Sequence, residues 1–305
     1  MGERFTPRMF VEWAAKQRGL TVEDFGVTPV VVLTWSPGMA LALAKLIDAK
    51  IPQHWPYGER FPLYAGQLGG KTVSFAYLPV GAPGTVMMME EMIACGAQTF
   101  IGLGWAGSLR ENLLVGSFII PTSSVSEEGT SSHYVDHKTS VTPNSRLVEL
   151  IREACKEEGI TAETGPVWTT DAPYREFVSK IVAYHHQGVL AVDMETSAMY
   201  ALGLVREVDV CNLLVVSDEL LHEWKPAFRT PELDVANDKA RHVILKVLEK
   251  TSPIVTPVKS DLAQRVVFNL REETCCENFE SPKCLPADRR SCLQTLSRLS
   301  EITKL

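Results

Sequence analysis

From Val30 onward, short apolar runs alternate with amphipathic segments. This alternation constrains the fold most. Strand-length apolar runs separated by helix-period stretches can bury their surfaces together as a sheet covered by helices, which is an α/β arrangement. The strand candidates are Val30 to Thr34, Thr72 to Leu78, Thr99 to Leu103, Ser117 to Ile120, Val189 to Val192 and Cys211 to Val216. Helices are expected between them. Pro143 and Asn144 open one in which Leu147, Leu150, Ile151 and Ala154 share a face, and Thr196 to Val208 forms another. Asp234 to Lys250 forms a third, with Ala236, Ala240, Val243, Ile244, Val247 and Leu248 spaced for one-sided burial. The expected domain therefore covers residues 30–250. Residues 1–29 read as an extension in which M-F-V-E-W-A-A-K-Q-R-G suits a short amphipathic helix. After Lys250, T-S-P-I-V-T-P-V-K-S has two prolines and little periodicity, so it reads as the start of a tail, 251–305, of unassigned role.

A chain of 305 residues that is 45% hydrophobic and 22% charged can bury a substantial core. No apolar run approaches the ~18 residues of a membrane span, and the N-terminal M-G-E-R-F-T-P-R lacks the apolar core of a secretory signal, so a cytoplasmic protein is expected. The net charge of −7 argues against a general nucleic-acid surface, because Lys and Arg neutralising phosphates dominate such binding. A small-molecule ligand fits better. Seven cysteines without secretory context are expected to be reduced thiols, and Cys95, Cys155 and Cys211 read as packing residues. Cys275, Cys276, Cys284 and Cys292 crowd the tail at spacings unlike those of a zinc site, and no metal is expected.

The stretch Val192 to Leu202, V-D-M-E-T-S-A-M-Y-A-L, carries the most chemistry. It places Met194 and Glu195 between an apolar strand and a helix of small residues. A buried carboxylate without donors costs several kcal/mol, roughly, so Glu195 needs partners, and adjacent sugar hydroxyls would supply two. Met194 could then pack on the sugar's apolar face. Alternatively, Glu195 simply opens the helix, where the macrodipole and unpaired N–H groups favour a carboxylate. These two readings stand level on this stretch alone.

Three further segments occur with it in a fixed order: F-I-G-L-G-W-A-G-S-L (Phe100 to Leu109), V-G-S-F-I-I-P (Val115 to Pro121) followed by E-G-T-S-S-H-Y (Glu128 to Tyr134), and L-L-V-V-S-D-E (Leu213 to Glu219). Over roughly Val30 to Lys250, the set resembles the nucleoside phosphorylase and nucleosidase superfamily. The resemblance implies one α/β domain with a mixed central sheet flanked by helices, a homo-oligomeric assembly, and cleavage of a nucleoside's N-glycosidic bond with phosphate as co-substrate in the phosphorylase members. It implies that Met194 and Glu195 grip the ribose, with Glu195 also favouring an oxocarbenium-like transition state. Asp218, at the end of an apolar strand, would assist the departing base, with burial raising its pKa; its other reading is a helix cap or loop anchor. The Ser217-Asp218 pair is similar to that of purine-specific members. Tyr174, in T-T-D-A-P-Y, falls where relatives stack an aromatic on the base, and His133 and Tyr134 are candidates for the sugar pocket.

The departures from the family pattern concern the anion. Where phosphorylases carry G-D-P-x-R, this chain has W-S-P-G-M from Trp35, with Met39 at the arginine position. Where they carry R-x-G-[ST], it has Gly102, Leu103, Gly104 and Trp105. Each lost charge-assisted bond costs about 1.5–3 kcal/mol. Arg60 lies within one position of a third family arginine that reaches phosphate from a neighbouring subunit; its other reading is a surface arginine. Arg110 and Arg229 have no specific claim. Hydrolysis would need an acid to orient water, for which Glu127, Glu128 and His133 are candidates. The competing reading is a non-catalytic nucleoside-binding or storage module. Restoring Met39→Arg, Gly102→Arg and Trp105→Thr together is expected to increase phosphate dependence if the pocket has merely lost its ligands.

Overall fold

The computed structural model describes residues 3–136 and 139–251. The strands are β1 (Val30–Thr34), β2 (Leu63–Leu68), β3 (Lys71–Tyr77), β4 (Thr99–Ser108), β5 (Phe118–Glu127), β6 (Ala162–Thr170), β7 (Ala191–Asp193), β8 (Asp209–Glu219) and β9 (Lys225–Pro226). The helices are α1 (Pro7–Gln17), α2 (Pro37–Leu46), α3 (Ala82–Ala94), α4 (Ser145–Glu157), α5 (Val178–His186), α6 (Thr196–Arg206) and α7 (Pro231–Lys250). The strands form one sheet in the order β2-β3-β1-β4-β7-β6-β5-β8-β9. An additional pairing of β4 with β8 closes β4, β7, β6, β5 and β8 into a ring. The sheet is mixed: β1 runs parallel to β3 and β4, whereas β7 runs antiparallel to β4, and β8 to β5.

The period-2 alternation of β1 divides its side chains between two cores. Val30 and Val32 pack with residues of α2, α4 and α7, while Val31 and Leu33 pack with residues of α3 and α6. All four are buried, and each such side chain contributes about 1.5–3 kcal/mol relative to exposure. The helices start where local chemistry requires. Ser36 Oγ accepts from Met39 N ahead of Pro37, Asn144 Oδ1 from Leu147 N, and Thr230 Oγ1 from Leu233 N, each satisfying a donor that the first turn leaves open. Helix α6 stops at Arg206, two residues short of its expected end, because Glu207 adopts φ 54°.

The structure departs from the sequence expectations where strands are not continuously apolar. β4 runs five residues past Leu103 through G-W-A-G-S, and β5 runs seven past Ile120 through P-T-S-S-V-S-E. β2, β6 and β9 lack the apolar runs that marked the others, and α2, α3 and α5 were not singled out. Among the described residues, no helix is long and apolar enough to cross a membrane. The four tail cysteines lie outside the described residues. Cys155 and Cys211 are buried and Cys95 half-buried.

Candidate active site

A cavity of about 700 Å³ opens beside the C-terminal ends of β1 and β8 and the second half of β4. Ligand sites in α/β sheets commonly lie beyond the carboxyl ends of strands. Thr34 and Trp35 enter from the end of β1, Met39 from the first turn of α2, Leu103 to Gly107 from β4, and Ser217 and Asp218 from β8. The β7–α6 junction supplies Asp193, Met194 and Glu195, and the turn after β6 supplies Pro173, Tyr174 and Glu176.

Glu195 is 6% exposed and its Oε1 accepts from Gly81 N at 2.6 Å. Although it stands at the N-cap position of α6, its side chain makes no capping bond. Asp193 serves that function: Thr196 N donates to Asp193 Oδ2 at 3.0 Å, Thr196 Oγ1 donates to the same oxygen, and Thr169 Oγ1 donates to Oδ1 at 2.6 Å. The two readings of Glu195 are thereby separated, since the capping carboxylate is two residues earlier and Glu195 faces the cavity. Burial, and then the neighbouring Asp193 charge, push the Glu195 carboxyl well above the ordinary carboxylate range. Burial raises Asp193 as well, against the hydrogen bonds from Thr169 and Thr196. Sequence reasoning did not single out Asp193, although an Asp three residues before the Thr that opens a helix is a capping signal. Met194 is half-buried on the same wall.

Asp218 also lines the cavity, but it is half-exposed, which corrects the burial expected of it. Ser217 Oγ donates to its Oδ1 at 2.7 Å and Trp224 Nε1 to its Oδ2 at 3.0 Å. These bonds fix the carboxylate's direction. Glu176 also lines the cavity, within reach of Asp218's charge; sequence reasoning missed it, the only clue being an acid two residues after Tyr174. Burial, followed by the charge of Asp218, pushes the Glu176 carboxyl up to about 7. Tyr174 lines the mouth on the short 3-10 turn Pro173–Arg175 and is 99% exposed.

At the residues expected to face an anion, Met39 and Trp105 lie on the wall, as does Trp35. Gly102 does not: it is buried within β4, and a Cβ there would lie 2.2 Å from Asn212 Oδ1. The expected restoration of an arginine at Gly102 therefore fails on packing, because Asn212 fills that space. Arg60 is exposed, with its guanidinium 5.6 Å from the Phe61 ring, outside the cavity wall of its own chain. Arg110 and Arg229 do not line it, and Arg110 Nη1 donates to His185 O at 2.9 Å.

The candidates for orienting water are elsewhere. Glu127 accepts from Lys180 and Tyr184, both at 2.7 Å, and His133 is exposed. Glu128 is buried and accepts from Ser126, Thr130, Ser131 and Ser197, which ties its loop to α6. Tyr134 donates to Glu90 at 3.0 Å, so neither it nor His133 faces the cavity. Among the described residues, no group of three His, Cys, Asp or Glu is arranged to hold a metal ion. The cavity can thus hold one face of a polar ligand at Glu195 and present two acids, Asp218 and Glu176, to another part of it.

A sequence model of the phosphorylase superfamily matches residues 29–249. A guanosine phosphorylase of Halorubrum lacusprofundi is 26% identical over 189 residues, covering 62% of this chain and 77% of that protein. A uridine phosphorylase of Treponema pallidum is 26% identical over 209 residues, covering 65% and 80% respectively. The crystal structure of a purine nucleoside phosphorylase from Toxoplasma gondii, in complex with immucillin-H, superposes with a TM-score of 0.68 at 22% identity, covering 76% of this chain and 93% of that one. At that identity the superposition establishes the fold.

Proposed function

The chain belongs to the phosphorylase superfamily, and within it we propose that this protein cleaves the N-glycosidic bond of a purine-type nucleoside. One observation carries the reading: Met194, Glu195 and Asp218 line one cavity, with Glu176 beside Asp218. Glu195 binds the ribose hydroxyls, and its charge, once ionised, favours positive charge developing on the sugar. Asp218, oriented by Ser217 and Trp224, serves the leaving base as hydrogen-bonding partner or proton donor. A purine fits this better than a pyrimidine because its imidazole nitrogen offers a protonation site as the bond breaks. Tyr174 on the rim covers the base in this reading. The ready supporting comparison is the guanosine phosphorylase, although a uridine phosphorylase matches similarly.

The acceptor is read as poorly suited to phosphate. Met39 and Trp105 stand on the wall, and among the described residues no Lys, Arg or His lines it. Arg60 would contribute only from a neighbouring subunit, in a homo-oligomer. Apolar side chains exposed on and before α1, namely Phe5, Met9 and Trp13, supply surface for such an assembly, whose mass in solution tests it.

Base release measured across purine and pyrimidine nucleosides, with and without phosphate, tests the whole proposal. Purine release that persists without phosphate is expected. Strictly phosphate-dependent turnover at ordinary affinity would remove the claim of a degraded anion site. Binding without turnover across the panel would replace an enzyme with a nucleoside-binding module.

A further inference from the structure

The ionisable lining of the cavity is of one kind. Its wall carries four acidic side chains, Glu176, Asp193, Glu195 and Asp218, with no basic side chain among the described residues. Several backbone donors that could offset them are already engaged. Helix α2 opens on the cavity with Pro37, which has no N–H, and with Met39 N donating to Ser36 Oγ. At α6, Thr196 N goes to Asp193 and Ser197 N to Thr169 Oγ1. At α3, Gly81 N goes to Glu195. At each of three helix N-termini, ordinarily attractive to anions, the protein's own side chains thus take at least one donor.

The aromatic wall points the same way. Trp35 Nε1 donates to Thr85 Oγ1 at 2.7 Å and Trp105 Nε1 to Asn237 Oδ1 at 2.9 Å. With both N–H groups engaged outside the cavity, the indoles offer it ring carbon. The face of an indole attracts cations through its quadrupole, and Phe228 packs edge-on against Trp105.

We propose that this cavity selects a nucleoside bearing a positive charge, an alkylammonium group being the simplest case, and excludes nucleosides bearing phosphate. The proposal rests on the nucleoside reading of the same site. A cation bound among these acids favours their ionised forms and is attracted by them in turn, and the low-polarity aromatic wall limits screening.

Isothermal titration with 5′-amino-5′-deoxyadenosine, adenosine and adenosine 5′-monophosphate tests the proposal on the whole protein. The ammonium nucleoside is expected to bind about ten-fold more tightly than adenosine, a difference of about 1.4 kcal/mol. The monophosphate is expected to bind most weakly, and raising the salt concentration should shrink the ammonium advantage. Trp105→Arg, at a position that is 39% exposed, puts a cation on the wall and should reverse the order of the two charged ligands. If that variant fails to fold, the ranking and its salt dependence in the unmodified protein decide. Equal affinity for the ammonium nucleoside and adenosine, or tighter binding of the monophosphate, overturns the proposal. Base release from adenosine and guanosine is read in parallel. Its absence defeats the cleavage reading but leaves the ranking intact, whereas cleavage with equal affinities defeats charge selection alone.

Discussion

Glu195 and Asp193 show how two carboxylates two residues apart take different work. Asp193 is saturated by Thr169 and Thr196, so it holds the helix start; Glu195 accepts from Gly81 and faces the cavity. Replacing Glu195 by Gln leaves one acceptor oxygen and adds donors where hydroxyls also donate. Nucleoside affinity should fall by about 1.5–3 kcal/mol while free-base affinity hardly changes, as titration calorimetry of both ligands would show. Equal weakening of the two would mark Glu195 as structural. Elsewhere on the wall, Glu176 is raised by burial and then by Asp218, to about 7. A carboxyl whose folded pKa lies above its unfolded value stabilises the fold below the unfolded pKa, and that contribution is lost as pH rises through about 7. Asp218→Asn removes the repulsion that builds in this window. Relative to the unmodified protein, its thermal midpoint should therefore be higher at pH 8 than at pH 5, and a difference that does not change with pH would refute the coupling.

At the scale of elements, the pairing of β4 with β8 decides what residue 102 can be. Their parallel register puts Gly102 opposite Asn212. Asn212 is fully buried, and its Nδ2 donates to Thr196 Oγ1 at 2.8 Å. Its Oδ1 has no hydrogen-bond partner among the described residues and occupies the space where a side chain on residue 102 would begin. Gly102→Ala should cost about 1–3 kcal/mol by overpacking, and Gly102→Arg more, since a guanidinium would be buried without a partner. Urea unfolding of Gly102→Ala, Asn212→Ala and the double variant measures the coupling: the second change should cost less in the presence of the first. Strict additivity would mean that the two residues do not compete for space. Met39→Arg meets a different obstacle, because Arg241 Nη1 already lies 3.8 Å from Met39 Sδ and would repel a second guanidinium.

Across the whole molecule, the described domain is tied off at the end of α7. Lys71 Nζ donates to the carbonyls of Glu249 and Thr251 at 2.6 and 2.7 Å, and Thr251 Oγ1 donates to Val247 O at 2.7 Å. These bonds join the last helical turn to β3. A chain ending at Thr251 should accordingly fold with a thermal midpoint within about 2 °C of the full chain, equivalent to less than about 1 kcal/mol at this size. A larger drop in a calorimetric scan would show that residues 252–305 contribute to the stability of the domain.

The sequence by itself determined the α/β class, most of the central strands and the three helices with strong one-sided periodicity, because side-chain burial follows a period that can be read along the chain. It also pointed to Glu195 and Asp218, carboxylates at the ends of apolar strands that are costly to bury without partners, with the apolar Met194 beside Glu195. Sequence could not show that Glu128 ties down a loop or that Asp193 carries the helix cap, because a carboxylate's role is fixed by which donors reach it across chain separations of up to 69 residues. Nor could it find Glu176, whose displaced pKa comes from burial and from Asp218, 42 residues away in the chain. Gly102 is the clearest case. By the family resemblance it is a vacancy left by a lost arginine, but strand register places Asn212 against it, and only the tertiary structure could decide that the space is already filled.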